Sequence, residues 1–129
     1  MLFRSQYLFD EHVDPLYREG LHRREPSISM RQVGTPDSPA KGTLDPDLLL
    51  WCEEYSFILV TNNRKTMPGH LQDHLASGHH IPGILIMNSK MTIGETIEEL
   101  LLIWIASDEE EYHDRLEHLP VSGRRSSDT

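Results

Sequence analysis

Cysteine is almost missing from this sequence. Cys52 stands alone, which excludes an internal disulfide and leads us to expect a reducing, cytoplasmic setting. Long apolar runs are missing as well. The longest, residues 100–106, falls far short of the roughly 20 residues that a membrane-spanning helix needs. The first residues, with a charge at Arg4, lack the apolar segment of a signal peptide. The expectation is a soluble protein with no membrane partner. Basic side chains are scarce: 12 Lys and Arg face 21 Asp and Glu, for a net charge of −9. Such a balance works against nucleic-acid binding, which phosphate neutralisation drives. The acidic excess is local, however. Residues 95–117 hold nine acidic side chains and one basic, whereas residues 1–94 hold eleven and nine. A nucleic-acid partner is therefore neither excluded nor recommended by charge.

What is present suffices for one domain. A chain of 129 residues, 37% hydrophobic and 26% charged, buries roughly two-thirds of its unfolded surface without a disulfide or metal staple. We expect the domain over residues 1–119 and a disordered tail over 120–129. No internal repeat is visible. A first strand over residues 3–9 ends abruptly at Asp10-Glu11. Asp14-Pro15 then reads as a helix start, with Asp as cap and Pro at the first position. A weak strand follows over 28–33, and the Gly- and Pro-containing segment 34–42 reads as a loop. Asp45-Pro46-Asp47 repeats the cap signal before a helix to Glu54. Residues 57–60 form a continuous apolar run, suited to a strand buried on both faces, and end in Thr61-Asn62-Asn63-Arg64. Thr66 and Pro68 open the next helix, which Gly78 closes. A fourth strand covers 84–87. Thr92-x-x-Glu95 is a capping box before a long helix, and Ser107-x-x-Glu110 is a second, predicting a break or a restart toward Leu119.

The alternation of strand and helix predicts an α/β fold with a mostly parallel sheet of four strands or slightly more, covered by helices on both faces. In such sheets functional groups gather beyond the carboxyl ends of the strands. Two strands end there in polar clusters, at Asp10-Glu11 and at Thr61 to Asn63.

The segments Leu8-Phe9-Asp10-Glu11, Asp45-Pro46-Asp47-Leu48-Leu49 and Leu59-Val60-Thr61-Asn62-Asn63-Arg64 resemble the PIN-like domains. The likeness is to the small stand-alone group found as toxins of toxin–antitoxin pairs. Met67-Pro68-Gly69-His70-Leu71 through Pro82-Gly83-Ile84 resembles the same group, so the likeness spans about residues 5–90. It implies a three-layer α/β/α sandwich and a Mg²⁺- or Mn²⁺-dependent ribonuclease, with an RNA substrate and a cognate antitoxin as partners. By position it implies Asp10 and Asp45 as metal-site carboxylates and Thr61 as the hydroxyl residue before a third acid. The pattern departs at that acid, where Asn63 stands, and two residues later, where Lys65 stands. Asp10, Asp45, Thr61 and Asn63 are thus the candidate catalytic residues. Asp10, Asp45 and the Asn63 carbonyl oxygen are the candidate metal ligands, enough for one hard cation. Glu11 or Asp73 could compensate for the missing acid. Arg64, Lys65 and Arg31, with Arg23 and Arg24, could neutralise RNA phosphates. The alternative is a PIN-like module that keeps the fold, lacks catalysis and binds a protein or nucleic acid; Asn63 and Lys65 favour it.

Several of these residues also have plainer explanations. Asp14 reads as a helix cap and nothing more, and capping is open for Asp45 too. Asn62-Asn63 could be a strand-ending turn. His70 and His74, four residues apart, share a helix face and could grip zinc with His79 or His80, although a polar helix face is the preferred account of them. Cys52 reads as a small core residue. The run 100–106 exceeds what one helix stripe can bury. We expect Ile93, Ile97, Leu100, Leu101 and Trp104 on the core stripe, and Leu102, Ile103 and Ile105 outside it. A homodimer through the helix around residues 93–106 would cover them, with Glu98, Glu99 and 108–111 on its solvated rim. The competing account is cover by Tyr112, Leu116 and Leu119 of the same chain.

Overall fold

The computed structural model describes residues 5–108 and 110–121. Five strands, β1 (Tyr7–Phe9), β2 (Met30–Gln32), β3 (Ile58–Thr61), β4 (Ile84–Ile86) and β5 (Leu116–His118), form one sheet in the order β2-β1-β3-β4-β5. Every neighbouring pair is parallel. Four helices, α1 (Pro15–Arg24), α2 (Asp45–Tyr55), α3 (Met67–Ala76) and α4 (Ile93–Ala106), make the crossovers. The expected start of the first strand at residue 3 and most of the expected tail lie outside the described residues.

Strand side chains alternate between faces, and both faces of the central strands are apolar. Tyr7, Phe9, Ile58, Val60 and Leu85 pack with Leu21 of α1 and with Ile97, Leu100 and Leu101 of α4. Leu8, Leu59, Ile84 and Ile86 pack with Leu48, Leu49 and Cys52 of α2 and with Met67 and Leu71 of α3. The chain is therefore a three-layer α/β/α arrangement with α1 and α4 on one face and α2 and α3 on the other. Burial pushes the Cys52 thiol well above its ordinary pKa, and the Asp10 charge adds to this. Cys52 is a protonated core residue.

Local signals explain most of the boundaries. Asp14 caps α1, accepting the Leu16 N–H at 3.0 Å, and Pro15 is its first residue. Thr92 and Glu95 close a complete capping box on α4. Two expectations need correction. Ser107 does not start a second helix: it ends α4, giving its N–H to the Ile103 carbonyl. The chain then turns and enters β5, a fifth strand absent from the expected order. Asp45 does not cap α2 either. Leu44 holds the cap position and Asp45 is the first helical residue, with no side-chain cap hydrogen bond.

The long helix α4 is also corrected. Ile103 is 4% exposed, buried in one cluster with Tyr112, Leu119 and Val121, so the chain itself covers much of the second face. Glu99 is buried rather than on a rim, and Ile93, expected in the core stripe, is exposed. Leu102 and Ile105 stay exposed. Arg24 of α1 pairs with Glu98 at 2.8 Å across the α1–α4 layer.

The approach to β4 depends on a residue without a side chain. Gly83 has φ +156°, and a Cβ there would lie 2.8 Å from Tyr112 Cβ and 3.0 Å from the Tyr112 carbonyl oxygen. One of these contacts is backbone and has little room to yield. Gly83→Ala is expected to destabilise the fold by about 1–3 kcal/mol, read as a lower midpoint in urea; an unchanged midpoint would show that the segment before β5 moves freely.

Candidate functional site

The strand order reverses between β1 and β3, since the chain leaves β1 toward β2 on one side and β3 begins the other side. Ligand sites of open α/β sheets sit at such a switch point, outside the carboxyl ends of the strands. Asp10 follows β1 and Thr61 ends β3. The parallel register pairs Leu8 with Leu59 and Phe9 with Val60, and the Asp10 N–H extends the ladder to the Val60 carbonyl at 3.0 Å. By two-residue alternation both side chains fall on the α2–α3 face. There the Thr61 hydroxyl donates to Asp10 Oδ2 at 2.8 Å.

The remaining candidates join by further hydrogen bonds. The Glu11 N–H donates to Asp10 Oδ1 at 2.7 Å, so both oxygens of this 7% exposed carboxylate are fixed. The Asn63 N–H donates to Thr61 Oγ1 at 3.1 Å. Asn63 Nδ2 donates to Asp45 Oδ2 at 2.9 Å and to Thr66 Oγ1 at 2.7 Å. Asp45 stands here because α2 returns across the sheet, bringing its first turn to the carboxyl edge. His70, in the first turns of α3, places Nε2 3.6 Å from Asp45 Oδ2. The structure thus brings Asp10, Thr61, Asn63 and Asp45 into one network and adds His70, whose role the sequence left open.

Other candidates are placed differently. Glu11 accepts the Gly42 N–H at 2.6 Å and ties down the 34–44 loop. Asp73 lies on an exposed part of α3, lining with His70, His74 and His79 a hollow between α2 and α3. The Arg31 guanidinium bonds the Asp37 carbonyl and lies over the Phe57 ring at 5.5 Å, so it is engaged elsewhere. Arg64 and Lys65 are exposed in the turn after β3. Arg64, with Asn62, His12, Asp14, Tyr17 and Asn88, lines a cleft of about 500 Å³ between the loops that follow β1, β3 and β4. That volume is in the range of small-ligand sites.

The donor set of this network is two carboxylates and a hydroxyl, and both Asp10 oxygens already accept hydrogen bonds. Oxygen ligands of this kind are those Mg²⁺ accepts while it keeps several waters. The set does not fit two ions, because position 63 supplies no charge. The Asn63 carbonyl oxygen, moreover, accepts the Thr66 N–H at 3.3 Å, and the amide NH₂ faces Asp45. Asn63 therefore acts on Asp45 as a donor in this structure, rather than as the neutral oxygen expected of it.

A second group of titratable residues lies at the opposite edge of the sheet. Glu53 Oε1 is 3.2 Å from His74 Nε2 and 3.0 Å from His79 Nδ1. Asp114 Oδ2 is 2.8 Å from His80 Nδ1 and 3.4 Å from His113 Nε2. Only His74, His79 and His80 carried any sequence signal for this group. His113 and Asp114 fall in the segment read as a possible helix, so their approach to His80 was not visible. No family model matches the chain, and neither a curated protein nor a solved structure matches it.

Proposed function

We propose that this protein is a PIN-like, metal-dependent ribonuclease of the toxin type, cytoplasmic and held in check by a cognate antitoxin. The observation that supports this most is the hydrogen-bonded chain Asp10–Thr61–Asn63–Asp45 at the switch point of a parallel sheet. Asp10 and Asp45 would hold a Mg²⁺ or Mn²⁺ ion, which when bound supplies Lewis acidity and a more acidic water for attack on a phosphodiester. Thr61 and the Glu11 N–H keep the Asp10 carboxylate oriented. His70 can hold a proton at Nε2 beside Asp45. Arg64 and Lys65, exposed at the cleft side, offer positive charge to RNA phosphates.

One observation favours a second reading, a PIN-like module that binds without cleaving. The Asn63 amide donates to Asp45 where the resemblance expects another acid, and Lys65 occupies the position of a further one. Labelled RNA incubated with the protein in Mn²⁺ or in EDTA separates the two. Cleavage in Mn²⁺ that EDTA stops is the expected result, whereas RNA bound and left intact in both would support the module.

The proposal includes a homodimer. Leu102 and Ile105, 41% and 56% exposed on α4, leave apolar surface in water, and burying what remains of each would contribute roughly 1 kcal/mol, about half the value for a fully exposed side chain. The double variant Leu102→Glu, Ile105→Glu is expected to be a folded monomer by light scattering while the unmodified chain is a dimer. An unmodified chain that is already monomeric at high micromolar concentration would refute the dimer.

A further inference from the structure

The histidine-rich edge of the sheet is chemically distinct from the Asp10–Asp45 network and has no part in the proposed reaction. Its members come from the loops that precede β4 and β5 and from the ends of α2 and α3, all at the amino ends of the strands. Within it, His80 Nδ1, His113 Nε2 and an Asp114 carboxylate oxygen lie within 4.8 Å of one another. Two imidazoles and one carboxylate are the donor set of three-ligand zinc sites that keep a fourth position open. Bonds of about 2.0–2.1 Å in a tetrahedral site place neighbouring donors about 3.3 Å apart. The two contacts to Asp114 Oδ2 measure 2.8 and 3.4 Å, close to that spacing, and the two rings, stacked at 5.5 Å between centroids, turn toward each other to bring both nitrogens onto one ion.

The donors are also held in place without any ion. Asp114 Oδ1 accepts the Ile81 N–H at 2.9 Å, and the Asp114 N–H donates to the Ile81 carbonyl at 2.8 Å. This double clamp keeps Asp114 at φ +60°, a left-handed conformation that costs a non-glycine residue energy. The His80 N–H donates to Glu53 Oε2 at 3.1 Å. That bond is made by the backbone amide, so it fixes the main chain at His80 rather than its ring. The hydrogen bond and charge of Asp114 raise the His80 pKa. Burial acts to raise the Asp114 carboxyl, but its bonds to His80 and the Ile81 N–H, together with the nearby His113 and His80 charges, hold it low.

The neighbouring trio Glu53, His74 and His79 is the weaker candidate. His74 Nε2 is 2.8 Å from the His80 carbonyl and 3.2 Å from Glu53 Oε1. Both partners are acceptors, so that nitrogen carries a proton and serves as a buried clamp on the His80 loop. His80 and His113, by contrast, are 63% and 50% exposed at their side chains. They border a cavity of about 340 Å³ that Glu53, Glu110, Gln6 and Ser56 also line.

We propose that His80, His113 and Asp114 form a zinc-binding site whose open coordination position faces this cavity. Binding at His80 Nδ1 requires that nitrogen without its proton, which moves to Nε2 of the same ring when the imidazole is neutral and to solvent when it is an imidazolium. The test is titration of the untagged full chain with Zn²⁺ alone, by calorimetry at neutral pH. Saturable binding that includes one ion held at this edge is expected, with a rise in melting temperature. His113→Gln, at a half-exposed position, is expected to fold normally and to weaken that binding at least about tenfold, the scale on which even supporting residues act. Asp10→Asn is expected to leave it unchanged. Absence of saturable binding would overturn the proposal, as would binding that survives His113→Gln or vanishes with Asp10→Asn. Binding lost on His74→Gln but retained in His113→Gln would also overturn it, by assigning the ion to the neighbouring trio.

Discussion

Asp10→Asn is expected to lower Mn²⁺-dependent RNA cleavage by at least about a hundredfold, while the melting temperature barely moves. The activity loss follows from charge. The proposed site has only two carboxylates for its ion, and loss of a mere supporting contact at a metal site already costs 10–100-fold. The small stability effect follows from geometry. An asparagine at position 10 can turn its oxygen to the Glu11 N–H and its NH₂ to Thr61 Oγ1, keeping both partners of the native side chain while reversing the direction of the Thr61 bond. The net change should stay within about 1 kcal/mol, the scale of one hydrogen bond. Thermal unfolding and a cleavage assay on the same preparation decide it. A collapse of the melting temperature would show that Asp10 holds the fold rather than an ion.

Asn63→Asp should move stability in opposite directions with and without metal. In EDTA the variant loses the 2.9 Å bond from Asn63 Nδ2 to Asp45. A hydrogen bond to a charged group is worth about 1.5–3 kcal/mol, and two carboxylates now face each other, so the protein melts earlier. In Mn²⁺ the added charge becomes an asset. Charges about 4 Å apart attract by up to about 4 kcal/mol at the effective dielectric of a protein surface, and even a third of that tightens binding about tenfold. The variant should then bind Mn²⁺ at least about tenfold more tightly than the native chain and gain the larger thermal shift from it. Equal affinities would mean that position 63 does not reach the ion.

The parts of this fold that were legible in the sequence are those that local chemistry decides. Residues 57–60 are apolar without a break, and β3 is buried at every position. Thr92 and Glu95 predict the start of α4, and both capping bonds are present. β5 was not legible, because Leu116, Glu117 and His118 carry one apolar side chain among them and sit at a sheet edge. Its pairing with β4 depends on a partner more than thirty residues earlier in the chain. The site shows the same division. Asp10 and Thr61 mark strand ends, and the register that joins them follows from a parallel sheet. That Asp45 faces Asn63 rather than its own helix depends on a one-residue shift of the helix start to Leu44, which the Asp-Pro signal conceals. His70 reaches Asp45 only through the packing of α3 against α2. Likewise Ile103 looked surplus on α4 until Tyr112 and Leu119 folded over it.

The central claim is that the network around Asp10 and Asp45 binds a divalent cation, and Mn²⁺ itself can locate the site. A paramagnetic ion broadens amide signals according to distance, so substoichiometric Mn²⁺ added to ¹⁵N-labelled protein reports where it binds. The account predicts early loss of the Glu11, Thr61, Asn63 and Thr66 amide signals, while Ile81 and Asp114, at the opposite edge of the sheet, persist. If the amides around Asp10 keep their intensity through millimolar Mn²⁺, or if those near His80 and Asp114 disappear first, the claim is contradicted.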